Sequence, residues 1–167
     1  MPKLSAGIVL YRKQANSIEL LLVHPGGPFW AKKDESAWSI PKGEYLEDED
    51  AWVAAQREFR EETGFEPPAG EPIELGTVKY GNKVLRAWMV PGSIDARRVK
   101  SNMFTMEWPP KTGKRQEFSE VDRAGWFSPA IARRKLVKGQ VGLVDMLCEQ
   151  LDVSVEIDEN PSQMSLL

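Results

Sequence analysis

The chain has 167 residues, 41% of them hydrophobic and 28% charged, enough for one soluble domain with a sizeable core. Its 22 Lys and Arg against 25 Asp and Glu give a net charge of −3, which excludes a globally cationic surface for nucleic acid or acidic membranes and leaves an anionic substrate to a local patch. The lone Cys148 excludes an intramolecular disulfide; without a bilayer-length apolar run or a signal-like amino terminus, the expectation is a cytoplasmic protein with no membrane partner.

Ser5 to Tyr11 and Glu19 to His24 are short runs rich in Val, Ile and Leu, divided by a polar turn, and read as two strands of a buried sheet. The Pro- and Gly-rich stretch that follows, up to Trp38, is a loop. His24 is the only histidine, which rules out a His-pair zinc site and any relay of two imidazoles; at a strand end its ordinary role is packing or hydrogen bonding. Lys32 and Lys33 either reach a phosphate or stay solvated. Lys42 precedes a run of carboxylates, where an ammonium can act as a point charge beside a polyphosphate.

From Asp50 to Thr63 the spacing predicts a helix. Trp52, Ala55 and Phe59 form its apolar stripe, while Glu58, Glu61 and Glu62 stand at i, i+3 and i+4 on another face. Like charges so placed cost roughly 0.2–0.5 kcal/mol per pair. Arg57 can hold one carboxylate in its fork, but one guanidinium cannot balance the cluster. A hard divalent cation with oxygen ligands can, and Mg²⁺ is usually held by a few carboxylates and a substrate's phosphate oxygens. Gly64 is placed to end the helix, and Gly43 to supply a tight turn.

Ile73 to Tyr80 and Val84 to Val90 read as a hairpin turning at Gly81-Asn82-Lys83, with Arg86 on the same face as Val84 and Trp88. Pro91 to Gln116 is the least regular part and is expected to be a functional loop; its turn carries Lys111, Lys114 and Arg115, either a polyphosphate patch or a solvated tip. Glu117 and Glu120 come before VDRAGWF. Beyond Pro129 a helix, a break at Lys138-Gly139, and a second helix with Val141, Val144, Cys148 and Leu151 at helical spacing complete the chain.

Gly43, Glu49, Arg57, Glu58, Phe59, Glu61, Glu62, Gly64 and Phe65 fill every defined position of G-x5-E-x7-R-E-U-x-E-E-x-G-U, where U is bulky and apolar, so this stretch resembles the box of the Nudix hydrolases. The lead-in Trp38, Pro41, Lys42, Gly43 is similar to the diadenosine and diphosphoinositol polyphosphate hydrolase branch. The resemblance implies an α+β Nudix fold: a mixed β-sheet in an α/β/α sandwich, with the box as loop-helix-loop. It is expected to occupy residues 1–156 as one domain, with 157–167 a flexible tail.

The implied activity is metal-dependent hydrolysis of a phosphoanhydride bond by water, in a dinucleoside polyphosphate or nucleoside triphosphate. The other readings are a diphosphoinositol polyphosphate hydrolase and a binding module that does not cleave. The cofactor implied is Mg²⁺, with Mn²⁺ as the alternative. Gly43, Glu58, Glu61, Glu62 and Glu117 are the expected metal contacts, and Arg57, Glu58, Glu61 and Glu120 the expected catalytic set, with the identity of the base open. Trp38, Lys33, Lys42, Tyr80, Arg86 and Arg115 are the expected substrate contacts. No stable nucleic-acid complex is expected, and both monomer and homodimer remain open.

Overall fold

In the computed structural model, which describes residues 2–155, the elements in chain order are β1 (Lys3–Gln14), β2 (Ser17–Pro25), β3 (Lys42–Glu44), α1 (Ala51–Thr63), β4 (Ile73–Tyr80) and β5 (Lys83–Pro91). There follow β6 (Met103–Glu107), β7 (Arg115–Ser119), β8 (Val121–Phe127), α2 (Pro129–Lys135) and α3 (Gly142–Leu151). The main sheet runs β4-β5-β1-β2-β8, with β3 also paired to β1. β1 and β5 are parallel while the remaining pairs are antiparallel, so the sheet is mixed.

Alternation along β1 and β5 explains why helices cover both faces. Ala6, Ile8 and Leu10 point to one side with Trp88 and Val90, and meet Ala51, Ala54, Ala55 and Phe59 of α1. Val9 and Tyr11 point to the other with Leu85, Ala87 and Met89, against Ala132, Leu143, Leu147 and Cys148. The result is the expected α/β/α sandwich.

The first two strands are longer than their apolar runs. They continue to a turn at residues 15 and 16, and the extension is held by a cross-strand pair in which Arg12 Nε donates to Glu19 Oε1 at 2.9 Å. α1 starts where the spacing places it: Asp50 accepts from the Val53 N–H at 3.0 Å, and Gly64, at φ 78°, donates to the Arg60 carbonyl at 2.8 Å.

The segment expected to be an irregular loop instead contains a ribbon, because β6 and β7 pair with each other in a separate two-stranded sheet. Phe104 lies opposite Phe118, with ring centroids 5.9 Å apart. The tail expected at 157–167 lies outside the described residues. Among the described residues no helix is long and apolar enough to cross a membrane.

Candidate active site

The site forms where β3 crosses the carboxylate face of α1. Gly7 permits the crossing, since a Cβ there would lie 2.6 Å from Lys42 Cβ and 2.7 Å from the Pro41 carbonyl oxygen. Gly43 is needed for a related reason: a Cβ would fall 2.0 Å from Glu58 Oε2. Its backbone has no positive φ, so the tight-turn explanation gives way to a steric one. The adjacent Lys42 N–H donates to Glu62 Oε1 at 3.2 Å.

Arg57 organises the acidic face. Its guanidinium bonds Glu49, donates to Glu58 Oε1 at 3.1 Å and to the Glu44 carbonyl at 3.2 Å, and lies 3.8 Å from Glu61. One planar fork thus ties the loop before the helix to two carboxylates on it.

Glu120 joins the cluster through backbone bonds. The Asn102 N–H donates to the Glu61 carbonyl at 2.8 Å and the Glu120 N–H to the Asn102 carbonyl at 2.9 Å, so the base of the ribbon is fastened to the end of α1. Glu117, two residues along β7 from the ribbon's end, is exposed and stays outside. Of the two glutamates proposed from sequence, only Glu120 reaches the others.

Burial and like charge make these carboxyls resist ionisation. Burial raises Glu58 above the usual carboxylate range against the pull of Arg57, and Glu61 and Glu120 add to the rise. Burial pushes Glu62 up to about 8, opposed by the charge and N–H of Lys42 and reinforced by Glu58 and Glu120. Glu120 is raised by burial and then by Glu61.

Among the described residues no three His, Cys, Asp or Glu side chains converge closely enough to hold a metal ion as they stand. Two are turned toward other partners, Glu58 to Arg57 and Glu62 to the Lys42 amide. The donor chemistry nonetheless fits a hard divalent cation: the carboxylates are all-oxygen donors, and their mutual repulsion is what a cation relieves.

Beside the carboxylates a groove opens. A polar part of about 400 Å³ is lined by Lys42, Gly43, Glu58, Glu62, Glu120 and Phe104. It shares Lys42, Glu62, Tyr80, Lys83 and Glu120 with a more apolar part of about 310 Å³, which continues to Trp30, Val137 and Gln140. Tyr80 is therefore brought to the site. Its position depends on Gly139, where a Cβ would lie 2.1 Å from the Tyr80 ring, and on the buried Gln140, whose Nε2 lies 3.4 Å from the tyrosine hydroxyl.

Gln140 also accepts from the Ile40 N–H at 3.0 Å and donates to Ser39 Oγ at 3.0 Å, joining the lead-in to the wall of the groove. Sequence reasoning saw only a helix break at Lys138-Gly139 and passed over Gln140, Lys83 and Trp30. The sequence offers only the Gly139-Gln140 pair between two helical patterns as a signal, and nothing for Lys83 or Trp30.

Four other expected substrate contacts lie elsewhere. Trp38 is only 5% exposed and packs edge-on to His24 and Phe127, with its Nε1 donating to Asp34 at 2.9 Å. A ring enclosed in this way supports the lead-in from below and does not stack on a ligand. Arg86 is committed to Glu74 at 2.5 Å and lies over Trp88, on the α1 side of the sheet. Arg115 sits on the exposed ribbon opposite Glu107. Lys33 contacts the groove indirectly: its ammonium lies over the Trp30 ring, and its carbonyl is 2.6 Å from His24 Nε2. His24 is fully buried and also meets Asp122 at 2.8 Å, so its role is to hold the loop.

A family model for the NUDIX domain matches residues 1–147. The asymmetrical bis(5′-nucleosyl)-tetraphosphatase of Caenorhabditis elegans is 43% identical over 58 residues, covering 35% of this chain and 38% of that protein. Subunit 2 of the mRNA decapping complex of Schizosaccharomyces pombe is 26% identical over 144 residues, covering 80% of this chain and 19% of that protein. The chain thus spans well under half the length of both curated relatives. Among solved structures, the C. elegans Ap4A hydrolase binary complex superposes with a TM-score of 0.59 at 22% identity, covering 90% of this chain and 98% of that one. The NUDIX domain of Shewanella oneidensis NrtR complexed with ADP ribose gives 0.60 at 19% identity, covering 90% and 89%. At such identities the likeness concerns the fold.

Proposed function

The chain belongs to the NUDIX family, and from that premise we propose that it is a metal-dependent pyrophosphohydrolase acting on a dinucleoside polyphosphate, with nucleoside triphosphates as the nearest other substrates. The observation that carries this reading is the groove itself. Glu58, Glu62, Glu120 and Lys42 line one part, and Tyr80 joins it to an apolar part of about 310 Å³, so a phosphate chain bridged to the carboxylates by a cation and met by Lys42 would lie beside a wall for an aromatic base. The curated tetraphosphatase, 43% identical over 58 residues, supports the same substrate class.

Glu58, Glu61 and Glu62, together with Glu120, would hold Mg²⁺ or Mn²⁺. Such an ion supplies positive charge to phosphoryl oxygens and lowers the pKa of water from about 15.7 toward neutrality. Lys42 places an ammonium beside the phosphate chain, where it offsets charge that grows on a bridging or leaving oxygen. Arg57 fixes Glu49 and Glu58 and takes no part in proton transfer. Glu120 accepts no side-chain hydrogen bond among the described residues, which would leave its carboxylate free to meet the ion and orient the water beside it. Tyr80 lies against one wall and is placed to stack on a base.

Product analysis tests this reading. Purified protein with Mg²⁺ or Mn²⁺ is offered dinucleoside polyphosphates, nucleoside triphosphates, ADP-ribose and diphosphoinositol phosphates, beside a Glu61→Gln plus Glu62→Gln variant. Turnover is expected to be greatest with a dinucleoside polyphosphate, to need the metal, and to vanish in the variant. Tight metal-independent binding without cleavage of any compound would overturn it in favour of a binding module.

A further inference from the structure

Outside the groove, aromatic rings and cations form a continuous path. Lys33 Nζ lies 5.0 Å from the Trp30 ring, and Trp30 itself lines the groove. The next ring, Phe29, is 60% exposed and meets Trp108 edge-on at 5.4 Å. The Trp108 N–H donates to the Lys114 carbonyl at 2.9 Å, and Lys111 stands on the same ribbon turn. Lys33, Lys111 and Lys114 have no carboxylate within ion-pair distance among the described residues.

The two lysines of the ribbon turn stand apart from hydrolysis. β6 has five residues and a rise of about 3.4 Å per residue, so the ribbon turn lies roughly 17 Å from its base, where Glu120 sits. Cations that far away cannot act on the phosphate next to the carboxylates. An exposed ring costs solvation, and a cation without a counter-charge attracts anions; alternated along a surface, they suit a ligand that alternates π-faces with phosphates. The net charge of −3 conceals this patch, because the box alone carries eight Asp and Glu; the one carboxylate on the ribbon turn, Glu107, accepts from the Gly113 N–H at 3.3 Å.

We propose that the path Trp30-Phe29-Trp108, flanked by Lys33, Lys111 and Lys114, binds single-stranded nucleic acid. Bases stack on the exposed rings and the lysines meet the phosphodiesters. Because the path opens into the groove, a bound strand can place its end beside Lys42. Duplex is disfavoured, since its paired bases have no free faces to offer. Binding requires no cleavage, so this proposal goes beyond the hydrolase reading and stands or falls separately from it.

The test is fluorescence anisotropy of the full chain with a single strand of about a dozen nucleotides carrying a 5′-hydroxyl, which has no phosphoanhydride to cut. Saturable binding is expected, weaker for the matching duplex, and falling as salt rises from about 50 to 200 mM. Lys111→Ala with Lys114→Ala should weaken it about fivefold or more and reduce the salt slope by about 0.7 per lysine. Phe29→Ala should weaken it about fivefold while leaving the slope unchanged. Both changes are at exposed positions, and hydrolysis of a dinucleoside polyphosphate is measured separately. Absent binding, equal binding of duplex, indifference to both variants, or a Phe29-dependent dimer that binds no strand would each overturn the proposal.

Discussion

A methyl group on Gly43 would lie 2.0 Å from Glu58 Oε2, inside any tolerable contact. The Gly43→Ala chain is expected to fold, because β3 lies at the margin of the sheet, but to displace the Glu58 carboxylate. Divalent-cation affinity should fall by about tenfold or more, read by Mn²⁺ titration, with the thermal midpoint little changed. At this scale the box was legible in the sequence, since fixed spacing along a helix determines which side chains share a face. What a long side chain outside the helix would touch was not. Trp38 and Arg86 looked like ligand contacts, yet Asp34, His24 and Phe127 enclose the first, and Glu74 on the neighbouring strand β4 captures the second. Partners brought together by folding leave no local trace in the chain.

The connection between α2 and α3 decides where Tyr80 stands. Gly139 allows the ring to lie directly on the backbone, and Gln140 reaches its hydroxyl. Gly139→Ala should push the ring into the groove. If Tyr80 stacks on a base as proposed, KM rises about fivefold or more while kcat holds, because base–aromatic stacking is worth about 1–3 kcal/mol and is made equally in ground and transition states. Steady-state kinetics on a dinucleoside polyphosphate checks this. Elements packed into the core were legible, β1 and β5 from apolar runs covered on both faces and α1 from its helical period. The ribbon was not: β7, with Arg115, Gln116 and Glu117 in succession, has no apolar alternation. Its ladder is made with β6 alone, so no core imposes a pattern on it.

For the whole molecule, the acidic cluster opposes folding, and metal should reverse that. The Glu62 pKa is raised from 4.5 to about 8 by burial, so between those values the folded chain holds a proton that the unfolded chain has released. Stability of the metal-free protein is therefore greatest below about pH 4.5 as far as this group is concerned, and is lost as pH rises through about 8, by on the order of a few kcal/mol. Glu58 and Glu120 are shifted in the same direction. Urea midpoints in the presence of a chelator should fall between pH 5 and pH 8, and millimolar Mg²⁺ should restore the loss at pH 8 by mass action. Glu62→Gln should flatten the pH dependence. A midpoint that rises with pH in the chelator would contradict the assignment of a buried, destabilising charge.

On the proposed reading Glu120, brought in by the base of the ribbon, joins the glutamates of α1 in one cation site, whereas Glu117 stays outside it. Equilibrium Mn²⁺ binding to Glu120→Gln and Glu117→Gln, followed by the paramagnetic signal of the free ion, addresses it most directly. Affinity should be about tenfold or more weaker for Glu120→Gln and unchanged for Glu117→Gln. Equal loss in both, or loss only in Glu117→Gln, would contradict it.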